Sequence, residues 1–207
     1  MPHVRSPHVR SVRFAIGIVA LLATCAFVGT AGPAHADALR CKREIVKASA
    51  KFVQAKLRAL GKCEEGVLMG KLTGPCPDVK TTAALNKASL KLRSAIDKKC
   101  GGADQDCTTA GDNDGLASIN WGSTCPNFEG GTCNNAITNC DGVSNCLLCV
   151  DEAAVDQGIG LYYDDLTNSS NATVKKCQRE IGKSAIKYLR LKSKLLQKCN
   201  DKVITGQ

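Results

Sequence analysis

From residue 38 to about 72, apolar residues recur every three to four positions. On a wheel advancing about 100° per residue, Cys41, Ile45, Ala48, Phe52, Ala59, Leu60, Cys63 and Val67 share one arc. Lys47, Lys51, Arg58 and Lys62 line the opposite arc. The stretch is rich in Ala, Lys, Leu and Glu and meets no proline before Pro75, so it predicts one long helix. Gly74-Pro75-Cys76-Pro77-Asp78 then breaks the chain. A second helix is predicted over Val79–Cys100, with Ala84, Leu85, Ala88, Leu92, Ala95 and Ile96 as its stripe and Gly101-Gly102 as its stop. The short turn between the two predicts an antiparallel hairpin. Residues 101–142 show no clean period and read as irregular, with one short helix near Leu116 to Asn120. A third long helix is predicted over 141–166 and a fourth over 173–204, with the polar run Thr167–Thr173 between them.

The fourth segment echoes the first. Cys177 to Cys199 repeats Cys41 to Cys63 at a constant offset of 136 residues without a gap, matching at Arg43/Arg179, Glu44/Glu180, Ile45/Ile181, Lys56/Lys192 and Leu60/Leu196 among others. In the second copy Cys177, Ile181, Tyr188, Leu195, Leu196, Cys199 and Val203 take the apolar side, while Lys183, Lys187, Arg190, Lys194 and Lys198 take the basic side. The cysteines of each copy lie 22 residues apart, so each helix is expected to be pinned near both ends with its stripe buried. The second copy is expected to close the bundle as a single helix. Lys56 and Lys192 sit oddly inside the apolar arc. One of them is expected to lie partly buried against a carboxylate from 141–165.

Charge is sorted in blocks. Residues 37–100 carry 15 basic and 6 acidic groups, 101–173 carry 11 acidic groups and no Lys or Arg, and 174–207 carry 10 basic and 2 acidic. That alternation fits blocks neutralising one another within one fold, and it gives no ground for a specific nucleic-acid partner. Residues 1–36 read as a signal peptide: Arg5, Arg10 and Arg13, then the apolar run Phe14–Val28, then Ala34-His35-Ala36 as cleavage site. The apolar run is short for a spanning helix, and nothing in the mature chain resembles one. Beyond Ala36 twelve cysteines remain, an even set behind an export signal that reads as a disulfide framework. With few aromatics and many alanines the core should be thin, and bridges worth about 2–4 kcal/mol each would carry much of the stability.

No histidine lies beyond residue 36. This removes the usual general base, Ser-His and Cys-His nucleophiles, and His-ligated zinc or haem, so no cofactor and no ordinary hydrolase are expected. Cys146-Leu147-Leu148-Cys149 is the one candidate active pair, for thiol–disulfide exchange. Its acidic surroundings and the lack of a βαβ setting favour a structural role, two cysteines on one helix face gripping two separate loops. Thiolate metal sites are disfavoured by the oxidising compartment. Asp112-Asn113-Asp114-Gly115 imitates a calcium loop, but an EF-hand register puts Ala110 and Trp121 at ligand positions. Asp104, Asp106, Asp112 and Asp114 read instead as turn formers. Gly182-Lys183-Ser184 and Ser184-x-x-Lys187 lie mid-helix without their companion motifs and carry no site. Asn168 and Asn171 each begin a glycosylation sequon.

The pattern Cys-x-Arg-Glu-Ile…Lys…Leu-x-Lys-Cys, with the stretch Cys125 to Gln157, resembles cysteine-rich, lysine-rich helical repeat segments of exported bacterial proteins. That resemblance implies export, helices and repetition, and it brings no activity and no functional residue.

The chain is therefore read as all-α, a disulfide-stapled helical bundle with an irregular cysteine-rich insert. Its segments are the signal peptide 1–36, a helical hairpin 37–100, an acidic insert ending in a helix 101–173, and a C-terminal helix 174–207. Cys107, Cys125, Cys133, Cys140, Cys146 and Cys149 are expected to pair among themselves. That leaves Cys41, Cys63, Cys76, Cys100, Cys177 and Cys199 to staple the helices, with Cys63–Cys76 first among them. The leading function is an exported, non-catalytic structural or binding module of the periplasm, cell surface or extracellular space. Its basic faces (Lys47, Lys51, Arg58, Lys62, Lys183, Lys187, Arg190, Lys194, Lys198) would meet an anionic cell-surface polymer or a protein. The alternatives are an oxidoreductase using Cys146 and Cys149, and a membrane-active basic helix.

Overall fold

The computed structural model describes residues 37–109, 115–127, 132–163 and 169–207, so the expected signal peptide, Asp112–Asp114 of the calcium-like motif and Asn168 lie outside the described residues. Among the described residues four helices follow in order: α1 (Ala38–Leu68), α2 (Val79–Cys100), α3 (Cys140–Tyr163) and α4 (Ala172–Thr205). Three have side-chain caps of the expected chemistry. Asp37 accepts from the backbone N–H groups of Leu39 and Arg40, Asp78 from Thr81, and Asn171 from Thr173 and Val174. The helix α1 stops short of residue 72 because Gly70 takes a left-handed φ of 69°, and the Lys71 and Gly70 N–H groups turn back onto the carbonyls of Gly66 and Val67. Around Leu116–Asn120 the backbone makes turns and no helix. Thr124 and Ala136 form an isolated antiparallel bridge in the insert.

Within the bundle α1 is central and packs against each of the other three helices. Its stripe supplies Cys41, Ile45, Ala48 and Phe52 to a core completed by Leu92, Ile96 and Cys100 of α2, Ile119 and Ile137 of the insert, and Val143 of α3. A second cluster joins Leu57 and Leu60 to Val155, Ile159 and Tyr163, with Ile186 and Leu189 of α4 packed against it. Among the described residues five disulfides staple this frame: Cys41–Cys100, Cys63–Cys76, Cys107–Cys140, Cys125–Cys146 and Cys133–Cys149. The insert cysteines pair among themselves and Cys63 takes Cys76, as the sequence predicts.

The second copy of the repeat departs from expectation. Cys177 and Cys199 are free and exposed, and Ile181, Tyr188, Leu195, Leu196 and Val203, expected inside, are also exposed. The physical reason lies in which face of α4 can approach α1 and α3 closely. The helix α4 runs antiparallel to α1, tied at one end by Arg43–Asp201 (2.7 Å) and at the other by Arg179–Glu65 (2.6 Å). Between these ties, two glycines admit the neighbour. A β-carbon at Gly61 would collide with the Ile186 side chain, and one at Gly182 with the Tyr163 ring. Gly182 is the buried residue of α4, so the face it marks is the packed face, and the cysteine-bearing stripe is turned away. Gly182→Ala is expected to lower stability by about 1–2 kcal/mol in urea denaturation, the clash outweighing the ~1 kcal/mol gained in helix propensity. A net gain would mean that Tyr163 yields freely.

Candidate functional site

Cys146 and Cys149 lie near the start of α3, and each is bonded elsewhere, Cys146 to Cys125 and Cys149 to Cys133. The pair thus grips two separate stretches of the insert, and neither sulfur is a thiol. Asp104 and Asp106 accept hydrogen bonds from the backbone N–H groups of Asp106 and Thr108, which makes them turn formers.

The nine basic residues singled out in the sequence are not gathered on one surface. Lys47 leans toward Glu44 (3.5 Å), while Lys194 and Lys198 are exposed along α4. Arg58, Lys62, Lys183, Lys187 and Arg190 do meet, lining a cleft of about 200 Å³ between α1 and α4 beside Glu65 and Tyr163. Desolvation pushes the Glu65 carboxyl up, but hydrogen bonds from Lys183 and Arg179 outweigh it and hold the group below its ordinary range. That carboxylate pairs with Arg179 and Lys183 at the α1–α4 junction, and it is the one acid in the lining against five basic groups.

The larger basic feature lies on the hairpin. A groove of about 520 Å³ between α1 and α2 has a floor of Ala48, Phe52, Ala55, Ala84, Ala88 and Leu92, and a rim of Lys51, Lys87 and Lys91. Small alanine side chains along both helices leave this hollow open. The groove continues in both directions. Through Lys87, Lys91 and Ala95 it meets a hollow of about 490 Å³ bearing Lys98 and Lys99. Through Ala55 and Ala84 it meets one of about 450 Å³ bearing Arg58, Lys62 and Lys80. Eight basic groups thus edge one channel, against Glu44 and Asp78 as acids. Five of the eight belong to α2, which attention to the repeated segment alone overlooks. The signal was present as alanine and lysine alternating at helical spacing: Lys80, Ala84, Lys87, Ala88, Lys91, Ala95 and Lys98.

A chamber of about 300 Å³ lies where α1, α3 and α4 meet Trp121. Its walls include Ile45, Val53, Leu147 and Leu196, and its polar groups include Ser49, Asp151, Ser193 and Gln197. Desolvation pushes the Asp151 carboxyl up to about 6, against a lowering from the Ser49 hydroxyl and with a further push from Glu152. Folded chain therefore holds this proton more tightly than unfolded chain, so the group's contribution to stability falls as pH rises from its ordinary value near 3.8 through about 6. Asp151→Asn is expected to stabilise the protein by about 1–2 kcal/mol at pH 7 and by almost nothing at pH 4. Urea denaturation at the two pH values checks this, and a destabilised variant at pH 7 would contradict it.

Nearby, Lys56 is buried at 5% exposure, with its ammonium 2.8 Å from Asp156 Oδ2 and 3.3 Å from the Glu152 carbonyl. The carboxylate expected from 141–165 is thus Asp156, and the equivalent Lys192 is exposed. Among the described residues no cluster of His, Cys, Asp and Glu is arranged to hold a metal ion, and no helix is long and apolar enough to cross a membrane. In comparison with known proteins, no family model, curated protein or solved structure matches the chain.

Proposed function

We propose that this is an exported, non-catalytic binding module whose α1–α2 channel holds a linear anionic polymer of the cell surface. The supporting observation is the chain of three hollows that share lining residues and are edged by eight basic groups, the central one floored by alanine, Phe52 and Leu92. Their extended form suits a repeating, flexible anion better than a compact ligand, and long ammonium side chains can follow its charges without fixed geometry. Five disulfides indicate an oxidising environment. Cleavage after Ala36, and the resemblance to exported bacterial cysteine- and lysine-rich repeat segments, belong to the same reading. Thiol–disulfide exchange by Cys146 and Cys149 has no support from the geometry, since each sulfur is committed to a different partner.

Retention on immobilised polyphosphate provides the test. The triple variant Lys51→Glu, Lys87→Glu, Lys91→Glu is expected to lose on the order of a hundredfold in affinity, at about 1 kcal/mol per lysine facing an anionic surface. The matched variant Lys187→Glu, Lys194→Glu, Lys198→Glu, which changes net charge equally outside the channel, is expected to bind almost as the parent does. Equal losses in both would reduce the effect to overall charge and overturn the channel reading.

A further inference from the structure

The two free thiols and the apolar stripe between them define a second surface, independent of the channel. Cys177, Ile181, Ser184, Tyr188, Leu191, Leu195 and Cys199 fall within about 80° of arc on one α-helix. Ile181, Tyr188, Leu191 and Leu195 are each more than half exposed. The ten other described cysteines are all bonded. Cys177 and Cys199 cannot pair with each other, since 22 residues of helix hold them about 33 Å apart. At the corresponding positions of α1, Cys41, Ile45, Ala48, Phe52 and Cys63 are buried. There an antiparallel helix covers the stripe and is latched at both ends, with Cα–Cα distances of 4.8 Å for Cys41–Cys100 and 5.8 Å for Cys63–Cys76. Both α1 and α2 are basic, so like charge does not prevent such a latched pair.

We infer that α4 is the interface of a covalent homodimer, in which the α4 helices of two copies pack antiparallel and are joined by two Cys177–Cys199 bridges. The spacing of the stripe is self-complementary about Tyr188. Cys177 and Cys199 are equidistant from it, as are Ile181 and Leu195. A two-fold axis at Tyr188 therefore sets each Cys177 against the partner's Cys199, and each Ile181 against the partner's Leu195. On one flank of the stripe the same axis brings Glu180 within about one turn of the partner's Lys198, whereas a parallel pair would set Glu180 beside its own copy and Lys198 likewise. Lys192, on the other flank, meets the partner's Ser184 instead of a second lysine.

Bridge formation needs an oxidant, and a small-molecule disulfide suffices. The Cys177 thiolate attacks it and releases one small thiolate. The partner's Cys199 thiolate then attacks the mixed disulfide and displaces the second. Per bridge, two protein thiols become one disulfide, and the two electrons and two protons leave as two small thiols.

The full chain, oxidised in a glutathione redox buffer, is expected to double in mass under non-reducing conditions, with peptide mapping joining the Cys177 and Cys199 segments. Because both cysteines are exposed, Cys177→Ser and Cys199→Ser leave the fold intact. Each variant alone is expected to stay at monomer mass, since its remaining thiols sit at opposite ends of the pair. Their mixture is expected to give a covalent heterodimer through the one remaining bridge. A covalent dimer from either variant alone, or a mixture that stays monomeric, overturns the proposal. It is equally overturned by a parent chain that stays monomeric with both thiols open to alkylation or capped by glutathione. If that monomer also partitions onto anionic-lipid vesicles, the stripe is a membrane-contact face instead.

Discussion

Replacing Cys41 and Cys100 together by alanine is expected to destabilise the protein by about 4 kcal/mol, more than the loss of any other bridge. Freed, the unfolded chain regains the entropy of a loop closed across 59 residues. On a chain-entropy argument that loop contributes about 4 kcal/mol, against about 3 kcal/mol for the Cys63–Cys76 loop of 13 residues. Both sulfurs of the longer bridge are fully buried where α1 and α2 meet the insert, so their removal also thins the core. The shorter bridge sits at the hairpin turn, where chain connectivity already holds the helices together. Guanidinium denaturation of the two paired variants, followed by circular dichroism without reductant, measures the order. If the Cys63–Cys76 variant proves the weaker protein, the bundle is not held by closure of the long loop.

Such an ordering follows from connectivity, and much of the connectivity was legible in the sequence. In α1 the stripe reported its own burial correctly, because Cys41 and Cys63 mark a face that the next helix in the chain is positioned to cover. The same stripe in α4 misled, and for a physical reason. A periodic pattern shows which face of a helix is apolar, but not what lies opposite it. The faces of α1 that receive α2 and α3 are occupied, and α4 packs with Ile186 against Gly61 of α1 and with Gly182 and Leu189 against Tyr163 and Gly158 of α3. Two mismatches between the copies carried the warning. At the repeat offset, Gly61 faces Gln197 and Gly182 faces Val46, so the copies differ at the two glycines where α4 packs closely. The channel was only half visible, since its α1 lysines belong to the repeat and its α2 lysines do not. Asp151 could not be read at all. Its burial depends on Trp121 and on α4, which pack beside α3 only in the folded chain.

Lys56 was legible as an anomaly, and its pairing makes a prediction of unequal halves. The ammonium is buried whereas Asp156 is not: the side chains are 6% and 57% exposed. Removing the lysine leaves a carboxylate that water already reaches. Removing the aspartate leaves a charge enclosed with only the Glu152 carbonyl for company. Asp156→Ala is therefore expected to cost about 2–3 kcal/mol, well beyond the ±0.5 kcal/mol usual for an exposed position. Lys56→Met, which keeps the length and apolar stem, is expected to fall within about 1 kcal/mol of the parent in either direction. The double variant should then match Lys56→Met, because aspartate has nothing left to satisfy. A double-mutant cycle in urea reads this as a coupling of about 2 kcal/mol. Additive losses, or an Asp156→Ala variant as stable as the parent, would mean that the ammonium finds water on its own. In that case the acidic insert neutralises α1 only at a distance, and the Lys56–Asp156 contact adds nothing to the packing of α3 on α1.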